Sequence, residues 1–121
     1  MAEIGYEGKM TEIGKRQGDY FIPTRSSRSG PWVIVCTCSD SSSDTEFYTY
    51  RLFHVPSWDP KVNKPFLRCT YEDRDSKGIK PDGTLLKFVD EDQVEEQEYD
   101  YQGPGGWKRK QVFKLADFIK E

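Results

Sequence analysis

The chain reads as a mainly β protein, a compact antiparallel barrel or sandwich of about six or seven strands with a short C-terminal helix. Three observations predict this. Short runs of β-branched and aromatic residues alternate with loops of Pro, Gly, Ser and Asp. Outside the last few residues, no apolar i, i+3, i+4, i+7 pattern persists for three turns. The last two runs flank Gln102-Gly103-Pro104-Gly105-Gly106, a turn composition between two strands.

The elements follow in order. Residues 1–18 hold four glycines among charges, with Ile4, Tyr6, Met10 and Ile13 as anchors, and are expected to form a loose N-terminal arm or a short edge strand. Asp19 to Pro23 is a short aromatic stretch, and Thr24 to Gly30 a polar loop. Trp32 to Thr37 is apolar on both faces, the profile of a strand buried on both sides. After the serine-rich loop 39–45, Glu46 to Val55 alternates. Phe47, Thr49, Arg51, Phe53 and Val55 fall on one face, and Tyr48, Tyr50, Leu52 and His54 on the other. These two runs predict a hairpin at the centre of the sheet. Phe66 to Tyr71 and Thr84 to Val89 are the next strands, separated by a charged turn ending in Pro81-Asp82-Gly83.

Glu95 to Tyr101 and Trp107 to Leu115 form the final hairpin. Symmetrical closure puts Tyr101 opposite Trp107, Asp100 opposite Lys108 and Glu98 opposite Lys110. Leu115 to Glu121 supplies one or two helical turns, with Leu115, Phe118 and Ile119 docking on the sheet. Trp32, Phe47, Phe53, Phe66 and Phe88 are the expected aromatic core.

Size and composition bound the rest. A chain of 121 residues supports one domain, 1–121, with one modest core. Leu, Ile, Val and Phe together are 21% of the chain, close to the level where disorder sets in. The 14% of aromatic residues compensates. A mean hydropathy of −0.84 and a longest apolar run of Trp32 to Cys36 exclude a membrane-spanning helix. Three cysteines cannot all pair within the chain, and no apolar stretch behind a basic N-terminal cluster resembles a secretory signal. A reducing, cytoplasmic setting is expected. Its shortness and lack of common motifs also fit a viral or mobile-element protein.

The net charge is only −3, yet charge is blocked along the chain. Asp90 to Asp100 holds seven acids and no base, and Lys108 to Lys114 four bases and no acid. The leading expectation is a protein that acts through protein–protein contact, with an inhibitor as one form of it, docking an acidic and aromatic surface on a basic partner. Its contact residues would be Trp58, Glu95, Glu96, Glu98, Tyr99, Tyr101, Trp107 and Arg109, because Trp, Tyr and Arg dominate interface energetics. The alternative is a single-stranded nucleic-acid-binding small barrel using Arg25, Arg28, Lys108, Arg109 and Lys110 beside stacking rings.

A third reading is a nuclease or hydrolase centred on His54, the single histidine, with Arg51 as the phosphate-binding cation. The two leave opposite strand faces, which argues against it. No nucleophile, zinc-protease or phosphate-loop motif is present. Cys36, Cys38, Cys69 and His54 have the softness zinc prefers, but C-x-C within a strand lacks the knuckle geometry of structural zinc sites. No metal or other cofactor is therefore expected. Ser41 and Ser43 precede acids by three residues, an arrangement an acid-directed kinase would read; a solvent-exposed spacer is the simpler expectation.

Overall fold

The structure is a computed structural model that describes residues 2–40, 45–74, 79–102 and 105–119. The serine pair Ser41 and Ser43 and the tip residues Gly103 and Pro104 lie outside these. The chain forms a helix, α1 (Ala2–Lys15), followed by eight strands: β1 (Tyr20–Phe21), β2 (Ser27–Ser29), β3 (Trp32–Asp40), β4 (Glu46–His54), β5 (Leu67–Arg74), β6 (Ile79–Phe88), β7 (Gln93–Tyr99) and β8 (Trp107–Lys114). Short 3-10 turns occupy Pro23–Arg25, Val55–Ser57 and Leu115–Phe118. The ladders are antiparallel in the order β1-β3-β4-β5-β6-β7-β8, with β2 also pairing β3, and the sheet does not close. It is broadly a β-sandwich or barrel-like fold, as the strand pattern predicts. No helix is long and apolar enough to cross a membrane, among the described residues.

The centre is the predicted hairpin. β3 and β4 pair without interruption from Trp32↔His54 to Asp40↔Glu46. Alternation sends Trp32, Ile34, Cys36, Cys38, Tyr48, Tyr50 and Leu52 to one side, where they join Cys69, Tyr71, Leu86, Val94 and Leu115 in the larger core. Val33, Val35 and Phe53 point to the other side and meet Val55 and Ile13. A central hairpin buried on both faces thus carries two cores.

What covers the second core corrects the expected loose arm: residues 2–15 are α1. Tyr6, Met10 and Ile13 stand at i, i+4 and i+7, one stripe that packs on Val33, Val35 and Phe53. Glycines at 5, 8 and 14 each cost about 1 kcal/mol in a helix interior, so docking rather than propensity sustains it. Asn63 anchors its C-terminal end. Its Nδ2 donates to the Arg16 carbonyl (3.1 Å), and its Oδ1 accepts from Gln17 Nε2 (2.9 Å) and Trp58 Nε1 (3.1 Å).

β6 turns the corner between the two parts of the sheet. Its first half pairs with β5 through Tyr71↔Gly83 and Glu72↔Asp82, and its second half with β7 from Thr84↔Glu98 to Phe88↔Val94. Gly83 has φ +129°, and a Cβ there would stand 2.2 Å from the Thr70 carbonyl oxygen. Only glycine permits this approach.

The final hairpin forms in a register two residues from the symmetrical one. Tyr99, not Tyr101, faces Trp107, and Glu98 faces Lys108. The reason is a longer tip, closed by Asp100 N–H donating to the Gly106 carbonyl (2.8 Å), with Gly105 and Gly106 both at positive φ. A bulge between Glu96 and Gln97 then moves the pairing from Gln97↔Arg109 to Glu96↔Gln111. Asp100 still reaches Lys108 Nζ diagonally, at 3.7 Å. β8 ends the sheet, and Lys108, Lys110 and Lys114 along it discourage a second copy from pairing there.

Three packing expectations are corrected. Phe66 is 39% exposed, its ring on Trp32 and Phe118 rather than inside the core, and Phe47 is half-buried and belongs to neither core. The terminal helix is a single 3-10 turn in which Leu115 is buried and Phe118 half-buried, while Ile119 is left exposed.

Gly83→Ala should destabilise the chain by the sum of backbone strain, about 1–3 kcal/mol, and overpacking, also about 1–3 kcal/mol. A drop in the urea midpoint at constant slope would show it. Ile13→Ala should cost about 2–5 kcal/mol; an unchanged midpoint would mean that α1 does not dock.

Candidate functional site

β2 runs near β6 without completing the barrel. The gap is a groove of about 480 Å³ whose lining includes Arg25, Tyr50, Tyr71, Lys87, Gln97 and Trp107. Local sequence explains how Arg25 reaches it. Pro23 opens the 3-10 turn, and Ser26 N–H closes it onto the Pro23 carbonyl. Ser26 Oγ then donates to the Ile22 carbonyl and accepts the Cys36 N–H, both at 2.9 Å, which pins the turn to β3.

The Arg25 guanidinium lies 4.0 Å from the centre of the Tyr48 ring, and its Nη1 donates to the Tyr71 hydroxyl at 2.7 Å. Tyr71 stacks on Tyr48 (5.2 Å) and Tyr50 (6.2 Å) and meets the Trp107 ring edge-on (4.8 Å). Trp107 continues to Tyr99 (5.7 Å), and Tyr99 to Tyr101 (5.6 Å). One aromatic run therefore links the inner sheet to the tip of the last hairpin, where Tyr101 is 50% exposed and its hydroxyl donates to the Pro81 carbonyl. Burial pushes the Tyr48, Tyr50 and Tyr71 phenols up, so they stay neutral across the physiological range. No salt bridge joins Arg25 to a carboxylate among the described residues.

The acids of the hairpin are arranged differently. Glu95 is only 8% exposed; its Oε1 accepts from Arg109 Nε at 2.6 Å, and its Oε2 from Gln97 Nε2. The Gln97 hydrogen bond outweighs burial and, together with Arg109, holds the Glu95 carboxyl below its usual range. Burial pushes the half-buried Glu96 carboxyl up. Hydrogen bonds from Gln111 (Nε2–Oε1 2.6 Å) and Thr84, with the charge of Lys110, more than reverse that. Glu98 pairs in register with Lys108. Of the acidic and basic blocks, Glu95, Glu96, Lys108 and Arg109 thus satisfy one another or their neighbours.

The other candidates are dispersed. Arg28 pairs in register with Val33, whose side chain faces α1, so Arg28 and Arg25 leave opposite faces of the sheet. Trp58 packs on the helix-side core and bonds Asn63, which gives it a structural role. His54 Nδ1 lies 2.9 Å from Ser57 Oγ, beside a pocket of about 150 Å³ that also includes Asp59 and Lys64. Burial lowers its pKa, so the ring is neutral at pH 7. Arg51 instead donates from Nη1 to Thr37 Oγ1 (2.9 Å), and Thr37 donates to Asp19 (3.4 Å). His54 and Arg51 do not converge.

Cys36, Cys38 and Cys69 are buried thiols, none in a disulfide, and Tyr50 stands between Cys36 and Cys69 in register. No group of three or more His, Cys, Asp or Glu side chains is placed to hold a metal ion among the described residues. Tyr50, Tyr71 and Lys87, which line the groove, and Tyr48, which lies under Arg25, are absent from the sequence-based candidates; the alternation of Tyr48 and Tyr50 on the inner face of β4 was the visible signal for the β4 pair. The chain matches no family model, no curated protein and no solved structure.

The lowered Glu95 carboxyl sets a pH dependence. A carboxylate whose folded pKa is depressed stabilises the fold fully above its ordinary value, here 4.5, and ceases to do so as pH falls through the folded value. The urea midpoint should fall as pH drops below that value, and Glu95→Gln should make the fall shallower. An equally steep profile in the variant would show that the Arg109 pair does not couple to folding.

Proposed function

We propose that this chain is a small, non-enzymatic binding protein of the cell interior that works by protein–protein contact through the groove and the aromatic edge of its last hairpin. The observation that carries the reading is the aromatic run from Tyr48 to Tyr101, with the Arg25 guanidinium laid on its inner end. Tyr, Trp and Arg held rigid before binding lose little entropy on contact, which is the composition and state of interface hot spots. Tyr99 and Trp107 remain contact residues in this reading, with Tyr101 the most exposed of the three. Glu95 and Arg109, on the same face of the hairpin as Tyr99 and Trp107, and Glu96 on the other, support the surface by fixing the hairpin. Three buried cysteines outside any disulfide fit a reducing compartment.

The electrostatic sense in the groove is opposite to that of an acidic surface on a basic partner. Glu95 is buried against Arg109, whereas Arg25 lies at the mouth on the Tyr48 ring and the Tyr71 hydroxyl, with no salt bridge to a carboxylate among the described residues. The Lys108–Arg109 pair is engaged by Asp100 and Glu95, which lowers its value as a track for nucleic-acid phosphates.

A photo-crosslinking residue at Tyr101, compared with one at the exposed Val62 in the segment between β4 and β5, tests this reading in cells. Specific protein adducts are expected from position 101 and not from 62, and Trp107→Ala should reduce them by about tenfold or more, the effect of losing a hot spot. Identical adducts from both positions, or cross-links to nucleic acid alone, would refute it.

A further inference from the structure

Resting on the protein-binding reading, we propose that the groove is a carboxylate-binding slot that receives an extended acidic segment of the partner. Two cations, Arg25 and Lys87, are among its lining residues, and no Asp or Glu is. Lys87 is exposed; it faces Glu95 in register and its charge favours that carboxylate, whose hydrogen bonds go to Arg109 and Gln97. Thr24 and Ser27 bring further hydroxyls to the mouth.

Arg25 is held in advance by the Tyr71 hydroxyl and the Tyr48 ring, so an incoming carboxylate meets an oriented guanidinium. The volume of about 480 Å³ lies within the range of ligand-sized clefts. It is open to solvent, as an extended chain requires.

The rings favour an acidic peptide over a nucleic acid. Stacking a base needs a free ring face. Here Arg25 and Tyr71 both pack on Tyr48, Tyr71 is shared between Tyr48, Tyr50 and Trp107, and Trp107 makes T-shaped contacts with both Tyr71 and Tyr99. Tyr50 and Tyr71 are buried. The rings form the walls and support Arg25, and the groove offers hydrogen-bond donors at its mouth.

The test uses the full chain, isotope-labelled, titrated at low salt with an alternating glutamate–valine peptide. The matching glutamine–valine peptide, inorganic phosphate and an oligothymidylate serve as probes of the competing chemistries. Amide shifts confined to Arg25, Ser27, Lys87 and the Trp107 indole are expected, together with binding at least about tenfold weaker for the glutamine peptide. Lys87→Gln, a change at an exposed side chain, should weaken the acidic peptide several-fold while leaving the rest of the spectrum unchanged. Arg25→Gln should abolish the binding.

Equal affinity for the glutamine peptide, shifts outside the groove, or no binding would overturn the proposal. Tighter binding of the oligothymidylate in the groove would replace it with nucleic-acid recognition, and tighter binding of phosphate with a phosphoryl site. Position 101 cross-linking that persists while the acidic peptide fails would leave protein binding standing and remove only the carboxylate slot.

Discussion

The architecture depends on one close approach, the passage of the β6 backbone over Thr70 and Tyr71 at Gly83. A side chain at that point would hold β5 and β6 apart. With none there, β6 stays paired to β5 as far as Gly83 and from Thr84 pairs with β7, carrying Leu86, and beyond it Val94 and Leu115, into the inner core. The same turn places Trp107 against Tyr71 and leaves the gap that becomes the groove. Core, groove and hairpin surface are thus consequences of a single bend.

Charge is distributed with similar economy. A strand carrying Glu95, Glu96 and Glu98 beside one carrying Lys108, Arg109 and Lys110 looks like two opposed surface patches when read linearly. Folded together, they become cross-strand partners, and exposed pairs of this kind contribute little energy but select register. Glu95 differs because it is buried, and burial makes its Arg109 and Gln97 contacts necessary rather than decorative. Arg25 is paired with phenol and ring instead, interactions that orient a guanidinium without neutralising it.

The central hairpin was legible in the sequence because period-two alternation is local: Trp32 to Thr37 and Glu46 to His54 announce both their strands and their faces. α1 was hidden because its glycines obscure Tyr6, Met10 and Ile13, three residues whose helical spacing has meaning only beside the Val33, Val35 and Phe53 face they cover. The register of the last hairpin turned on the length of its tip, and composition there identifies a turn without measuring it. Tyr99, Tyr101 and Trp107 were recognisable as surplus aromatics. Arg25, Tyr48 and Tyr71 lie far apart along the chain, so their meeting depends on the sheet curling, which no local pattern encodes.

The buried cysteines give this architecture a built-in clock. Cys36 and Cys38 lie in β3 and Cys69 in β5, all packed in the inner core, with burial raising the Cys36 and Cys69 thiols to about 11. Such thiols are inert while the strands stay in place and become reactive only when the sheet breathes. Their alkylation therefore times the opening of the inner core without any reporter having to be introduced. The Cys36 carbonyl also accepts from the Ile22 N–H, and the Cys36 N–H donates to Ser26 Oγ; Ile22 and Ser26 are the residues that set the Arg25 turn. A ligand that rigidifies that turn would slow the clock at β3 first.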